Sequence, residues 1–396
     1  MCSLLLLLPQ PAAAQQALDL KTALAAAQTG NLELRAARQQ RAIALAGITT
    51  ARQLPNPALG FTAARDTPHE GVALDLPIEL GGKRSKRIAL AQEEQKAIEV
   101  DIGVLERQVR RRTREAFFRS LVARAQSQQA KTALDLANRT RDIAQSRFDA
   151  GDVAQLDVFQ ADVEAARAAA DYQLTVQAQR SADVLLAALL NRPLSDQLGL
   201  AGNAEELPPA ATLETVTAQA MESNSDLLKT SQDLRSEERR LALARAQRIP
   251  NVDLSAGADF NSPPDFQAGA KGGITVTLPL LYHGQGEVAA SSARLELLRL
   301  TLGFQRINAS AQVAAAYYDY LAKANQAQQY SQRIVPEMVR LLEMAEESYR
   351  SGKSNLLTLI DAQRRLSDTR KSYLDTLLAA HTSFAALEET VGAPLD

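Results

Sequence analysis

Two periodicities of apolar residues divide this chain. Between Arg84 and Asp149, and again between Glu287 and Arg350, apolar residues recur at spacings of three and four, with no proline before Pro336. That spacing places them on one helical face and predicts two very long α-helices. At 1.5 Å per residue such a helix spans roughly 100 Å, more than an ordinary globular core. The same spacing predicts helices from about Leu18 to Gln53 and Leu213 to Gln247, and others ending near Leu190 and Leu387. The shorter helices would run end to end beside each long one, burying the apolar stripe as an antiparallel coiled coil.

Other segments alternate with period two. In the first, Val72, Leu74, Leu76, Ile78 and Leu80 interleave with Ala73, Asp75, Pro77 and Glu79. In the second, Val252, Leu254, Ala256, Ala258 and Phe260 interleave with Asp253, Ser255, Gly257 and Asp259. Ile274 to Tyr282 repeats the pattern, with Pro279 standing where the first segment has Pro77. Each run has about the length a tilted strand needs to cross a bilayer. Alternation fits a membrane barrel, apolar outward and polar inward; a sheet packed on helices in a soluble protein would alternate as well. In a barrel Asp75, Glu79, Asp253 and Asp259 would line the lumen.

The chain repeats itself once. "RQLPNPALGF" at Arg52 to Phe61 returns loosely as "QRIPNVDLSAGADF" at Gln247 to Phe260, Pro250 lying 195 residues after Pro55. "RFDAGDVAQLDVFQA" at Arg147 to Ala161 returns near Tyr349 to Ala362, Gly352 lying 201 residues after Gly151. A period near 200 is too long for a solenoid and implies one duplicated architecture. The first copy is assigned to residues 15–190 and the second to 211–396, joined by the turn-rich linker 191–210. Each copy reads as helix, two extended runs, long helix, glycine turn, helix. The fold class is mainly α with a small β part. Four strands per chain cannot close a barrel, and an open sheet edge cannot lie in lipid. Two chains give eight strands, whose interior side chains fill. Three give twelve around a lumen, so a conduit requires a homotrimer, continued by a helical tunnel.

Composition narrows the chemistry. Aromatic residues make up 4% and Trp is absent, while 44 basic against 46 acidic residues leave a formal charge of −2; no bulk charge points to nucleic acid. The single cysteine, Cys2, excludes an intrachain disulfide, and His69, His283 and His381 are scattered, each expected at a surface or in a loop. Gly352-Lys353-Ser354 ends like a phosphate-binding loop, but the glycine required five positions earlier is Glu347, so the tripeptide reads as a turn. Leu4 to Leu8, with Ala12 to Ala14 before Gln15, reads as the end of a signal peptide over residues 1–14. The basic runs Lys83 to Arg87 and Arg107 to Arg114 read as solvated helix faces, the first near a headgroup boundary. No acid pair, triad or metal cluster recurs in both copies, so no catalytic residue, metal site or cofactor is assigned.

From about Leu18 onward the duplicated order and its two turn signatures resemble the TolC-type outer-membrane channel family. "LPNPAL" at Leu54 to Leu59 and "ELGGKR" at Glu79 to Arg84 are similar to the branch serving heavy-metal exporters of the resistance-nodulation-division type. The resemblance implies a passive exit duct in the outer membrane, in contact with its lipid. Its implied partners are a periplasmic adaptor and an inner-membrane transporter. It implies that the glycine turns form the periplasmic tip where the adaptor docks, with Arg147, Gly151, Asp152, Tyr349, Arg350, Gly352, Lys353 and Asn355 as contact residues. Some members carry constricting aspartates six and nine residues after the glycine. Here those positions are Asp157 and Gln160 in the first copy, and Thr358 and Asp361 in the second. The resemblance therefore implies a mixed gate with one aspartate per copy. Drug efflux or type I secretion through the same fold remains open, and a soluble coiled-coil scaffold is the alternative of another class.

Overall fold

The computed structural model describes residues 18–195, 198–209, 211–262 and 266–395. The leader, Cys2 and parts of the linker lie outside the described residues. Among the described residues nine α-helices and four strands follow in order, and the succession of helix pair, hairpin, long helix and closing helix occurs twice. The helices are α1 Leu20–Gly30, α2 Leu32–Arg52, α3 Lys83–Asp149, α4 Gln155–Leu189, α5 Leu213–Ser223, α6 Ser225–Gln247, α7 Gln285–Gln329, α8 Val335–Arg350 and α9 Leu356–Val391. The strands are β1 Ala58–Ala63, β2 Glu70–Ile78, β3 Val252–Ser262 and β4 Phe266–Val276. No helix among the described residues is long and apolar enough to cross a membrane.

Three expected helices are divided. The first breaks at Asn31 between α1 and α2, and its counterpart breaks at Asn224 between α5 and α6. Asn224 caps α6, its side chain accepting from the amides of Asp226 and Leu227, and Asn31 donates through Nδ2 to the Leu189 carbonyl at 3.2 Å. Asparagine offers the backbone a local partner and so favours a cap over a helix interior. The second long helix is interrupted by a π-helical turn at Tyr330–Ile334, in which the Val335 amide donates to the Tyr330 carbonyl. Pro336, which lacks an amide and crowds the preceding turn, follows at once and explains the widening.

The chain forms two compact units, each drawing on both halves of the sequence. The strand-bearing unit comprises Glu33–Leu105 and Thr217–Ala311. Its strands form one antiparallel sheet in the order β1-β2-β3-β4. The last expected strand is displaced: β4 ends at Val276, so only the start of Ile274 to Tyr282 is extended in the sheet. Val276 pairs with Val252, the first residue of β3, so residues beyond it have no partner strand. Pro279 would also interrupt the ladder.

The unit's helices are fastened at their ends by the first basic run, which corrects in part its reading as a solvated face: Arg84 and Lys86 are exposed, but Lys83 and Arg87 are not. Arg84 donates to the Arg52 carbonyl at 2.7 Å, and Arg87 to the carbonyls of Ala51 and Gln53 at 3.1 and 3.0 Å. These cations satisfy carbonyls at the end of α2. Lys83 is buried and donates to Asn251 at 2.5 Å.

The turn-bearing unit comprises the chain up to Leu32, Glu106–Val216 and the chain from Gln312. One of its cores packs Leu342, Ala345 and Tyr349 of α8 against Leu356, Leu359 and Leu366 of α9, with Ala144 and Ala161. Elsewhere Arg114 is bonded to Glu388, both buried, and Arg111 meets Glu389 at 2.5 Å. The second basic run is therefore also not a solvated face: part of it is neutralised by α9. His381 differs from its expected surface position too. It is 1% exposed, stacked on Phe118 with ring centroids 3.4 Å apart, and its Nε2 lies 2.8 Å from the Ala204 carbonyl.

Candidate functional site

In the strand-bearing unit the register sorts residues by chemistry. Leu59 faces Leu74, Leu76 faces Leu254, and Leu254 faces Ile274. Directly paired residues share a face, so these side chains make one continuous apolar surface. It is open: Leu59, Phe61 and Ile274 are 60%, 75% and 72% exposed. The opposite face brings Asp75 opposite Ser255, Asp253 opposite Thr275, and Asp259 opposite Gly71. Asp259 is neutralised by Lys271 at 2.5 Å. Glu79 does not join this row. It lies beyond the end of β2 and pairs with Arg87 at 2.7 Å, a hydrogen bond that holds its carboxyl below the usual range.

The polar face is also the crowded one. A β-carbon on Gly71 would stand 2.7 Å from both the Asp259 carboxylate and the Thr62 hydroxyl. One on Gly273 would meet the Ser255 hydroxyl at 2.7 Å, and one on Gly257 would collide with the Val72 carbonyl. Small residues on this side let neighbouring strands close in on it. The outer edges of β1 and β4 have no partner strand among the described residues.

In the turn-bearing unit the two glycine turns are built alike. Gly151 has φ +82 and Gly352 φ +72, the left-handed region that a β-carbon disfavours. After α3, the Gly151 amide donates to the Phe148 carbonyl at 2.9 Å and the Asp152 amide to the Arg147 carbonyl at 2.8 Å. After α8, the Gly352 amide donates to the Tyr349 carbonyl at 3.1 Å and the Lys353 amide to the Ser348 carbonyl at 2.9 Å. This pattern of crossed bonds satisfies the last carbonyls of each helix and reverses the chain.

The residues around the turns fall into two groups. Asp152, Arg350 and Lys353 are exposed. Tyr349 is 2% exposed and belongs to the core, so it is not a surface contact. Arg147 is half-buried over it, the guanidinium carbon 5.1 Å from the ring centroid. Burial pushes the Tyr349 phenol up; Arg147 opposes the shift and the negative charge of Asp157 adds to it. The side chain of Asn355 caps α9, accepting from the amide and hydroxyl of Thr358 at 3.0 and 2.8 Å. Asp157 and Gln160 are half-buried near the start of α4, while exposed Asp361 pairs with Arg365 at 2.8 Å. The bidentate contact of Arg364 with Glu164, with Nε 2.9 Å from both carboxylate oxygens, joins α9 to α4.

Some exposed apolar groups were not singled out by the sequence. On α4 these are Leu156, Phe159 and Val163; on α7 they are Leu297, Leu300, Phe304 and Ile307, all above half exposed. Their three- and four-residue spacing is the available signal, and it is the spacing of a packed helix seam.

The family described as outer membrane efflux protein matches residues 23–192 and 216–393. The cobalt-zinc-cadmium resistance protein CzcC of Cupriavidus metallidurans is 26% identical over 386 residues, covering 96% of this chain and 92% of the relative. The nickel-cobalt-cadmium resistance protein NccC of Alcaligenes xylosoxydans xylosoxydans is 27% identical over 279 residues, covering 67% of this chain and 61% of that one. Among solved structures, CusC, described in connection with folding and transmembrane channel formation, superposes with a TM-score of 0.75 at 18% identity. The match covers 95% of this chain and 92% of CusC.

Proposed function

This chain belongs to the outer membrane efflux protein family, and on that premise we propose that it is the outer-membrane exit channel of a tripartite pump for heavy-metal cations. The observation that carries the channel reading is the sheet: an exposed apolar face, a polar face lined with carboxylates, and two edges with no partner strand among the described residues. Free strand edges in lipid cost several kcal/mol per unpaired group, so the edges of β1 and β4 must meet those of neighbouring copies. Three copies give twelve strands with the apolar face outward and Asp75 and Asp253 toward the lumen. Acidic groups along such a passage favour cations over anions. Similarity to CzcC along nearly the whole chain supports metal cations as cargo.

In this reading the protein is a passive duct and makes or breaks no bond in its cargo. The turn-bearing unit presents Asp152, Arg350 and Lys353 to a periplasmic adaptor, which links the duct to an inner-membrane transporter. Asp157 and Asp361 form the acidic constriction. The test is growth of a deletion strain and its complemented control on graded zinc, cadmium, cobalt, nickel, copper and silver, beside a panel of hydrophobic drugs. Sensitivity confined to metals is the expected result and names the ion. Sensitivity confined to drugs would discard the metal assignment and keep the channel.

A further inference from the structure

Where the sheet meets the helices, the strand-bearing unit carries a rim that is both apolar and basic. The register brings the starts of β1 and β3 and the ends of β2 and β4 to one end of the sheet. The connections there touch one another: a β-carbon on Gly81 would press on the Ile249 side chain, and one on Gly284 would lie 3.5 Å from Arg248. From this rim Leu280, Leu281 and Tyr282 project, 80%, 95% and 65% exposed. They follow Ile274 and Val276, which lie on the open apolar face of β4 and are 72% and 42% exposed. The turn 64–69 at the other end of the sheet contains no large apolar residue.

Charge accompanies the apolar residues. Arg84, Lys86 and Arg248 are exposed beside this junction, and none forms an ion pair among the described residues. Two carboxylates stand beside them: Glu79, which pairs with Arg87 and is also attracted by Arg84, and Glu287, which accepts from the Tyr282 hydroxyl and keeps its charge; the basic groups outnumber them. An exposed leucine cluster with an aromatic at its edge and an excess of exposed cations beside it matches a bilayer boundary, where acyl chains meet phosphate. A second copy meeting this rim with its own equivalent would set cation against cation.

We propose that the rim binds anionic phospholipid, Leu280, Leu281 and Tyr282 entering the acyl boundary while Arg84, Lys86 and Arg248 hold the headgroup phosphates. The inference rests on the reading that the sheet lies in a membrane. To test both, the full-length protein is reconstituted into vesicles of phosphatidylcholine alone and of phosphatidylcholine with phosphatidylglycerol. Insertion is read by resistance to carbonate extraction, and retained lipid by native mass spectrometry after solubilisation. The wild type is expected to insert into both and to retain phosphatidylglycerol preferentially. The double variant Lys86→Gln/Arg248→Gln, which removes no helix cap, should insert equally and retain about fivefold less phosphatidylglycerol per charge removed. Arg84→Lys, which keeps the charge, should behave as wild type. Insertion without lipid preference, or unchanged retention in the double variant, would overturn the inference alone. Carbonate extraction of the wild type from both vesicles would overturn the membrane reading and the inference together.

Discussion

Arg147 caps the ring of Tyr349 and donates to that residue's own carbonyl at 3.2 Å. The first residue lies in the last turn of α3 and the second in the last turn of α8, so a single side chain ties the two turns. Arg147→Ala removes a cation–π contact and a charge-assisted hydrogen bond. It should destabilise this region by about 2 kcal/mol, read as faster amide exchange at Asp152 and Lys353. Tyr349→Phe should be the milder change, because it keeps the ring beneath the Arg147 guanidinium.

The buried contact between Arg114 and Glu388 predicts an asymmetric response to mutation. Arg114 also lies over the Phe384 ring at 4.9 Å, so its charge is held on two sides. Glu388→Gln removes the carboxylate charge that buried Arg114 and half-buried Arg110 both meet and should lower stability by about 3 kcal/mol. Replacing both residues, Arg114→Met with Glu388→Leu, should recover part of that loss, since Arg110 still loses its contact with Glu388. A double variant as unstable as the single one in thermal unfolding would show that the pair does not act as a unit.

His381 predicts a pH dependence with a defined sign. Burial, with a smaller contribution from the Arg114 charge, pushes its pKa from 6.5 down to about 4, despite its contact with the Ala204 carbonyl. The neutral imidazole is thus favoured in the folded state. Its contribution to stability is fully present above pH 6.5 and is lost as the pH falls toward 4. The displacement corresponds to about 3 kcal/mol. Thermal unfolding of wild type and His381→Gln from pH 7.5 to 4 should diverge on the acid side, with the variant less sensitive; parallel curves would contradict this assignment.

The aspartates after the glycine turns are expected to hold the constriction. Like charges gathered about an axis repel one another or collect cations. Asp157→Ala with Asp361→Ala should raise single-channel conductance in planar bilayers and reduce cation selectivity. Because Asp361 is also paired with Arg365, Arg365→Gln serves as the control: the same conductance change in that variant would assign the effect to the local ion pair.

Much of this architecture is legible in local pattern. Alternation places Asp75, Asp253 and Asp259 on one face of the sheet, as the register bears out. It fails at Leu278 to Tyr282, because a strand ends where its partner ends, and the partner is distant in sequence. Three-four spacing finds the long helices but does not tell a seam closed within the chain from one left open. Leu356, Leu359 and Leu366 are buried while Leu297, Leu300 and Phe304 are not, although both sets recur at helical spacing. Tyr349 and His381 were misplaced for the same reason: whether a helical side chain is covered depends on segments far along the chain. The glycine turns were legible, since only the residue type at Gly151 and Gly352 was needed.

The wide turn at Tyr330–Ile334 sets the angular phase of everything that follows it. One additional residue in a regular helix is about 100° of rotation, and the widened turn takes up one residue without that rotation, so that Leu342, Ala345 and Tyr349 face their core. Straightening the turn at its present length would swing the downstream stripe about a quarter-turn away, whereas deleting one residue from it would leave a regular helix with the stripe close to its present direction.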